Sequence, residues 1–183
     1  MALAKDRHVH FELDVKASLL TVQAFATGII AVIAHSPKFA MRDVTGDILF
    51  DSNASENSSV HLSIRDGSVE IMDEVSSAER REIERVMFGE VLESSKYPTV
   101  EYRSSKVSAT KTGENTYRTN MSGDLTLHGV TRGLGFESQL VGGKDTLRAQ
   151  GSFSLRQSDF GLKIASVANG TLKLKDELKV GFF

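Results

Sequence analysis

Histidine is the residue type in this sequence best suited to acid–base or metal chemistry, and five histidines are present. His8 and His10 alternate on one face of a predicted strand, where two imidazoles could bind a metal if a third ligand approached. No third ligand stands at a recognised spacing, so the pattern favours an exposed polar face and predicts no metal site. His35 and His128 each border an apolar segment at a turn. Either could act as a general base or bind a polar head group, although a structural hydrogen bond to a carbonyl is favoured.

The other residues that could do chemistry do not form a recognised catalytic motif. Asp43 and Asp47 could form a carboxylate pair, but a glycosidase cleft typically adds aromatic sugar platforms, and tryptophan is absent. The triplet "DFG" at residues 159–161 lacks the glycine-rich loop and catalytic loop of a kinase, so a turn is predicted there. The chain has no cysteine, which excludes disulfides, thiolate metal sites and cysteine nucleophiles. The residue patterns therefore mark no activated catalytic residue and predict no cofactor site.

Length and composition describe a globular chain with one domain, residues 1–183. Of the 183 residues, 40% are apolar and 25% charged, and the net charge is -2, so no basic field indicates nucleic-acid binding. The longest apolar run, "GIIAVIA" at residues 28–34, is too short for a transmembrane helix. The first residues do not have the pattern of a secretion signal. The expected location is the cytoplasm, or the periplasm if a signal has been removed.

Alternation of apolar and polar residues predicts strands through most of the chain. Strands are expected in "HVHFELDV" and "SLLTVQAFAT". In "KFAMRDVTGDILFD" the apolar parity slips, which predicts a bulge or bend near Asp43. "SENSSVHLSIRDGSVEIM" predicts a hairpin that turns at Asp66 and Gly67.

One segment changes to helical period. Ser76 and Glu79 can form a capping box, Ile83, Val86 and Met87 stripe one face, and Pro98 closes the region, so a helix is expected over about residues 76–94. Strands resume at Thr99, and the stretch "SGDLTLHGVTRGLGFESQL" at residues 122–140 predicts a hairpin. Eight to ten antiparallel strands with one helix favour an up-and-down barrel, because closure removes exposed edges.

Small residues interrupt the apolar series of the predicted strands, namely Ala24, Gly123, Ala149 and Gly151. They can leave the barrel interior open for one ligand, or they can accommodate the close crossing of another strand. Both interpretations stay open. Met87 on the predicted helix can likewise line a barrel mouth or pack against the sheet.

Four quoted pieces together resemble the YceI-like family of lipid-binding proteins: "AHSPKFAMRDVTGDILFD", "KYPTVEYRS", "GDLTLHGVTR" and "SDFGL". Their order and spacing match over about residues 8–180. The resemblance implies an all-β fold, a lipocalin-like antiparallel eight-stranded barrel with one added α-helix. It also implies a non-enzymatic role in which a polyisoprenoid or similar amphiphile occupies an internal cavity, and a homodimer as a further expectation. The region "SVEIMDEVSSAERREIERVMFGEVLESSKYP" departs from the family by being more helical and more charged.

The function predicted from this resemblance is binding of a polyisoprenoid or isoprenoid quinone for carriage, storage or sequestration. Two alternatives stay open: a lipid hydrolase or isomerase with His128 or His35 as base, and a stress-response structural protein with a filled core. The predicted head-group residues are His35, Arg42, His128 and Arg132. The residues predicted to line the cavity are Phe25, Ile29, Phe39, Met41, Ile48, Phe50, Met87, Leu125, Leu127, Leu134, Phe136, Phe153, Leu155 and Phe160.

Overall fold

The computed structural model describes residues 8–27, 36–164, 166–167 and 172–183, and most of them lie in β-strands. One α-helix, α1 (Ser77–Val86), runs directly into a π-helical turn at Met87–Val91. Short 3-10 turns occupy Ser55–Asn57, Asp66–Ser68 and Gln157–Phe160. The strands are β1 (His8–Glu12), β2 (Leu20–Thr27), β3 (Lys38–Met41), β4 (Val44–Asp51), β5 (Ser59–Arg65), β6 (Val69–Ile71), β7 (Thr99–Lys111), β8 (Thr116–Leu127), β9 (Val130–Gly142), β10 (Leu147–Arg156), β11 (Ser166–Val167) and β12 (Leu172–Phe182).

All of these strands belong to one antiparallel sheet that curls round on itself. Its order is β1-β4-β5-β7-β8-β9-β10-β12-β2-β3-β6, and β11 pairs with β12. The two ends of this order are joined by one long strand. β3 lies near the last position, where it pairs with β2 and β6, and the chain continues from it into β4 near the first position. Exposed strand edges are thereby reduced, which is what barrel closure achieves. The prediction of an all-β antiparallel barrel with one helix is confirmed.

The number of strands differs from the predicted eight because several barrel strands are broken into two pieces. β3 and β4 pair with β6 and β5 respectively, so these four strands are two long strands with a bend in each. β1 and β2 likewise pair with β4 and β3 in succession, on the other side of the same long strand. Joined in this way, the pieces give eight positions around the barrel, with the two-residue β11 as an extra piece beside β12.

Hydrogen bonds join the two bends in these long strands. The backbone N–H of Asp43 donates to Ser68 Oγ at 3.0 Å, and the N–H of Arg65 donates to the carbonyl of Asp43 at 2.9 Å. The strand break predicted near Asp43 is confirmed. The predicted hairpin at Asp66 and Gly67 is wrong: β5 pairs with β4 and β7, β6 pairs with β3, and the 3-10 turn between them only kinks a continuing strand.

The predicted hairpin at residues 122–140 is confirmed as β8 and β9. Leu127 pairs with Val130 across a two-residue turn, and the turn residues His128 and Gly129 have φ angles of 53° and 73°. Two positive φ values are what a tight turn between right-twisted strands requires. Leu125 and Leu127 face the interior and are buried.

The predicted helix is confirmed, with a capping box at its start. The backbone N–H of Glu79 donates to Ser76 Oγ at 3.3 Å, and the N–H of Ser76 donates to Glu79 Oε2 at 2.9 Å. The Ser76 side chain and the Ser76 backbone N–H both hydrogen-bond the Glu79 carboxyl, and they hold its pKa below its usual range. The π-helical turn follows, and Glu93 then takes a φ of 48°, a left-handed conformation that ends the helical segment. Among the described residues, no helix has the length and apolar character needed to span a bilayer.

Candidate ligand-binding cavity

The barrel contains a cavity of about 1840 Å³ that opens to solvent and has a predominantly apolar wall. Each long strand contributes alternate residues, because successive side chains of a strand point to opposite faces of the sheet. Helix α1 and the π-helical turn contribute Ile83, Val86, Met87 and Val91 over one end. The predicted cavity residues found in this wall are Phe39, Met41, Ile48, Phe50, Met87, Leu125, Leu127, Leu134, Phe136, Phe153 and Leu155.

Three predicted cavity residues are not part of the described wall. Phe25 lies on β2 next to Ala24, and since Val22 and Ala24 face the cavity, the parity of the strand turns Phe25 away from it. Phe160 is only 3% exposed, but it lies in the 3-10 turn after β10 and packs in the apolar cluster that includes Leu162. Ile29 lies outside the described residues.

Glycine and alanine play different roles in the barrel. A Cβ on Gly123 would lie 2.2 Å from the carbonyl oxygen of Arg103, and one on Gly151 would lie 2.7 Å from Phe182 Cζ. These two glycines therefore accommodate close neighbours, and they leave no free space. Ala24 and Ala149 do line the cavity. Of the two interpretations left open by the sequence, close contact with another strand holds for the glycines, and lining of the interior holds for the alanines.

A segment absent from the predicted cavity residues also lines the cavity. Residues 13–19 leave the sheet between β1 and β2 and return where Leu19 and Phe183 exchange two backbone hydrogen bonds of 2.9 and 3.1 Å. Leu13, Val15 and Leu19 of this segment reach the wall. The alternation in "HVHFELDV" continues through Leu13 and Val15, so the pattern alone could not show that the strand ends at Glu12.

Aromatic side chains cross the interior of the barrel. The ring of Phe136 stacks on Phe153 with a centroid distance of 4.9 Å and lies edge-on to Phe182 at 5.6 Å. The Tyr102 ring is tilted against Phe136 at 5.5 Å. Such ring pairs add to the stability of the apolar wall.

The hydroxyl of Tyr102 is a buried polar atom of this wall that has no hydrogen-bond partner among the described residues. Tyr102 is 5% exposed. Burial, with a smaller contribution from the Asp124 carboxylate, raises the pKa of Tyr102 to about 12, so the hydroxyl stays protonated and able to donate. Sequence reasoning missed this residue, although "TVEYRSSKV" places Val100 and Tyr102 on the same inward parity.

His128 lies beside the cavity wall rather than in it. Its Nε2 atom is 2.8 Å from Glu93 Oε2, and its ring lies 4.3 Å from the ring of Tyr97. The hydrogen bond with His128 holds the pKa of the Glu93 carboxyl below its usual range. His128 is therefore committed to fastening the segment after the helix onto the β8–β9 turn. Its predicted roles as a head-group ligand or a catalytic base do not fit this position.

The remaining predicted head-group residues divide among three environments. Arg42 reaches the cavity wall, and its Nε donates to Glu70 Oε2 at 2.9 Å. Arg132 lies outside the wall because its Nε donates to the carbonyl of Asp159 at 3.1 Å. His35 lies outside the described residues. Arg42 is thus the predicted head-group residue that the structure brings to the cavity.

Asp66 is a buried carboxyl in the wall that sequence reasoning assigned only to a turn. Its Oδ2 accepts a 2.7 Å hydrogen bond from Ser94 Oγ, and the residue is 3% exposed. Burial raises its pKa, while the hydrogen bond from Ser94 and the proximity of His128 lower it to a smaller extent. Asp66 thus binds Ser94 and His128 binds Glu93, so two neighbouring residues of the segment 93–97 are held to the barrel.

The other candidate residues for chemistry form separate surface pairs. His10 Nε2 lies 3.2 Å from Asp47 Oδ1, and Arg65 Nε lies 3.1 Å from Asp43 Oδ2. Asp43 and Asp47 therefore have different partners. Within the described ranges, no three histidine, aspartate or glutamate side chains converge as a metal-ligand set. The side chain of His8 lies outside what the structure describes.

Comparison with solved structures places this fold among known proteins. BcnA of Burkholderia cenocepacia aligns with a TM-score of 0.70 at 17% identity, covering 92% of this chain and 96% of BcnA. A polyisoprenoid binding domain from Saccharophagus degradans aligns with a TM-score of 0.65 at 14% identity, covering 96% of each chain. At these identities the likeness concerns the fold.

Sequence comparison gives the family. UPF0312 proteins of Pseudomonas putida (strain W619) and Pseudomonas syringae pv. tomato are 30% and 32% identical over 139 residues, which cover 73% of this chain and 67% of each relative. The family model for the YceI-like domain matches residues 9–182. The chain therefore belongs to the YceI-like domain family.

Proposed function

We propose that this protein binds a long apolar amphiphile, a polyisoprenoid or an isoprenoid quinone, inside the barrel and does so without catalysis. The observation that carries the proposal is the cavity of about 1840 Å³. Pockets for small molecules usually measure roughly 300–1,000 Å³, so this cavity suits a ligand with a long chain. Carriage, storage or sequestration would each use such a site.

The energetics of an apolar wall support the same proposal. Burying several hundred Å² of an isoprenoid tail contributes on the order of ten kcal/mol at about 25 cal/mol/Å², before the cost of ordering the tail. Leu125, Leu134 and Phe136 are among the side chains that would contact it. No proton transfer or bond cleavage is needed for this binding.

The structure offers less support for the two alternative functions. An enzyme with His128 as base needs that imidazole at the ligand, and the ring instead bonds Glu93 and packs on Tyr97 outside the wall. A structural protein with a filled core would leave little internal space, in contrast to the volume found here. The likeness in fold to a structure described as a polyisoprenoid binding domain agrees with a lipid ligand. Homodimer formation stays a prediction.

A charge introduced into the wall tests the proposal. Leu134 lines the cavity, whereas its neighbour Gly133 is exposed and a Cβ there would meet no atom within 4 Å. Leu134→Glu should abolish uptake of a radiolabelled polyprenol, and the matched variant Gly133→Glu should retain it, because a buried carboxylate repels the tail. Leu134→Gln serves as a milder second variant, with circular dichroism as the check on folding. Equal uptake by wild type and folded Leu134 variants would contradict internal binding.

A further inference from the structure

The curled sheet leaves an opening in the barrel wall between β1 and β10. Among the described residues, β1 pairs with β4 alone and is the first strand of the sheet order. Across the gap, β10 pairs with β12 from Gly151 onward, whereas residues 147–150 pair only with β9. Residues 11–15 and 145–150 line the same cavity, which therefore reaches solvent between these two strand edges. We call this gap the side opening.

Exposed apolar side chains surround the side opening. Val15 is 46% exposed, Val141 is 45% exposed, and Phe183 is 64% exposed. All three belong to the cavity wall, and we call them the apolar rim. Phe183 is held in place by its two backbone hydrogen bonds with Leu19. Apolar side chains grouped in this way on a protein surface mark a contact site for another apolar surface.

The register of the sheet places the apolar rim on both sides of the side opening. Val141 lies opposite the stretch of β10 at residues 147–150. Phe183 directly follows the β12 residue that pairs with Gly151, at the end of the same stretch. Val15 lies on the other side, in the segment that continues from β1. The rim thus frames the gap and is not scattered over the barrel.

We propose that the apolar rim docks on the surface of a neutral lipid bilayer, and that the ligand enters and leaves the cavity through the side opening. This inference rests on the proposed function and adds the partner with which the lipid is exchanged. Exposure of a long apolar tail to water is unfavourable. Contact between the rim and the bilayer avoids that exposure during transfer.

The charges beside the apolar rim favour a neutral lipid surface. Residues 12–16 and 144–148 carry three carboxylates and three cations, all on exposed residues: Glu12, Asp14, Asp145, Lys16, Lys144 and Arg148. These charges cancel, so the two segments lack the excess of lysine and arginine that attracts anionic lipids. Docking therefore depends on the apolar side chains.

The free strand edges limit how deeply the rim can enter the bilayer. β1 and residues 147–150 of β10 have backbone N–H and C=O groups on the side where the described sheet has no neighbouring strand. Such groups are unfavourable in hydrocarbon and need water or lipid head groups as partners. The rim therefore contacts the interfacial layer of the bilayer and does not reach its centre.

Transfer of a radiolabelled polyprenol from the loaded full chain to phosphatidylcholine vesicles tests the docking. The transfer rate should rise with vesicle concentration, because exchange by contact needs a collision. A lipid that first dissolves in water would leave at a rate independent of the vesicles. Val141→Asp should lower the rate about tenfold, because the charge opposes contact of the rim with lipid. Val15→Asp, across the side opening, should act in the same direction.

Met72→Asp is the matched control for Val141→Asp. Met72 is 43% exposed, so it resembles Val141 in exposure, but it lies outside the cavity wall. It follows β6, which is two strands away from β12 in the sheet order, and its N–H donates to the carbonyl of Lys38. Met72→Asp should therefore transfer lipid at the wild-type rate. Val141→Ser is a milder second variant, and circular dichroism checks the folding of each.

Several results would overturn the docking. They are a wild-type rate that does not change with vesicle concentration, equal rates for folded Val141→Asp and Met72→Asp, and much faster transfer to phosphatidylglycerol vesicles. A wild-type dimer in light scattering that Val141→Asp abolishes would also overturn it, because a second copy would then cover the rim. If wild type could not be loaded with polyprenol at all, the proposed function itself would fail.

Discussion

The Nε2 atom of His128 lies 2.8 Å from Oε2 of Glu93, and this contact joins the β8–β9 turn to the segment that follows the helix. His128 has only 11% of its side chain exposed and also packs on the ring of Tyr97. Both turn residues, His128 and Gly129, have positive φ. The contact therefore fixes the end of the barrel on which the helical segment rests.

Replacement of His128 should affect stability and leave lipid binding intact. We expect His128→Ala to lower the free energy of unfolding by about 1–3 kcal/mol, because it deletes a part-buried hydrogen bond and a ring contact. Urea denaturation measures this change, and polyprenol uptake per folded molecule should equal that of wild type. Loss of uptake in a folded His128→Ala protein would instead assign the imidazole to the ligand.

Glu93 should make the protein less stable in acid. Its pKa is lowered in the folded state, first by the hydrogen bond with His128, so it contributes stability above the ordinary glutamate pKa of about 4.3. That contribution is lost as the pH falls through the lower folded pKa. In urea denaturation across this range, the stability difference between wild type and Glu93→Gln should shrink as the pH falls. A stability difference that does not change with pH would contradict the hydrogen bond between Glu93 and His128.

Asp66 should have the opposite effect on the pH dependence. Its pKa is raised by burial, so the folded protein holds the proton more tightly, and stability falls as the pH rises from about 3.9 through the raised folded value. Asp66→Asn removes this titration and can still accept from Ser94. The stability of Asp66→Asn relative to wild type should therefore increase with pH across that interval. A relative stability that decreases with pH would mean that the folded state favours the charged form.

The tight turn between β8 and β9 should require glycine at position 129. A Cβ there would lie 2.6 Å from Tyr97 Cε1, and the φ of 73° is unfavourable for alanine. Gly129→Ala should destabilise the protein by about 1–3 kcal/mol, whereas Gly133→Ala, with open space around it, should have little effect. Similar thermal unfolding temperatures for the two variants would show that the turn tolerates a side chain.

Much of the fold follows from local pattern. Alternation predicts β8 and β9, the shift of parity predicts the break near Asp43, and Ser76 with Glu79 predicts the helix start, because each signal comes from neighbouring residues. The Asp66–Ser68 turn shows the limit of such signals. Asp and Gly are typical of a hairpin, yet β5 and β6 pair with successive pieces of one long strand, and only the tertiary pairing decides this.

The site is less predictable than the fold because its polar features depend on contacts between distant elements. The sequence leaves open whether Gly123 and Gly151 free the interior or accommodate another strand, and only the structure shows the close neighbour that each has on another strand. His128 borders an apolar segment as a base or ligand would, and its partner is 35 residues earlier in the chain. The unused hydroxyl of Tyr102 becomes visible only when the surrounding wall is known.

Mass spectrometry of an organic extract of the purified protein is the sharpest test of isoprenoid binding in this cavity. We expect an isoprenoid lipid, a polyisoprenoid or an isoprenoid quinone, in the extract of wild type, and its loss from the Leu134→Glu variant but not from Gly133→Glu. An extract without lipid, combined with no uptake of added polyprenol or farnesyl-benzoquinone, would contradict the claim that this cavity binds isoprenoids.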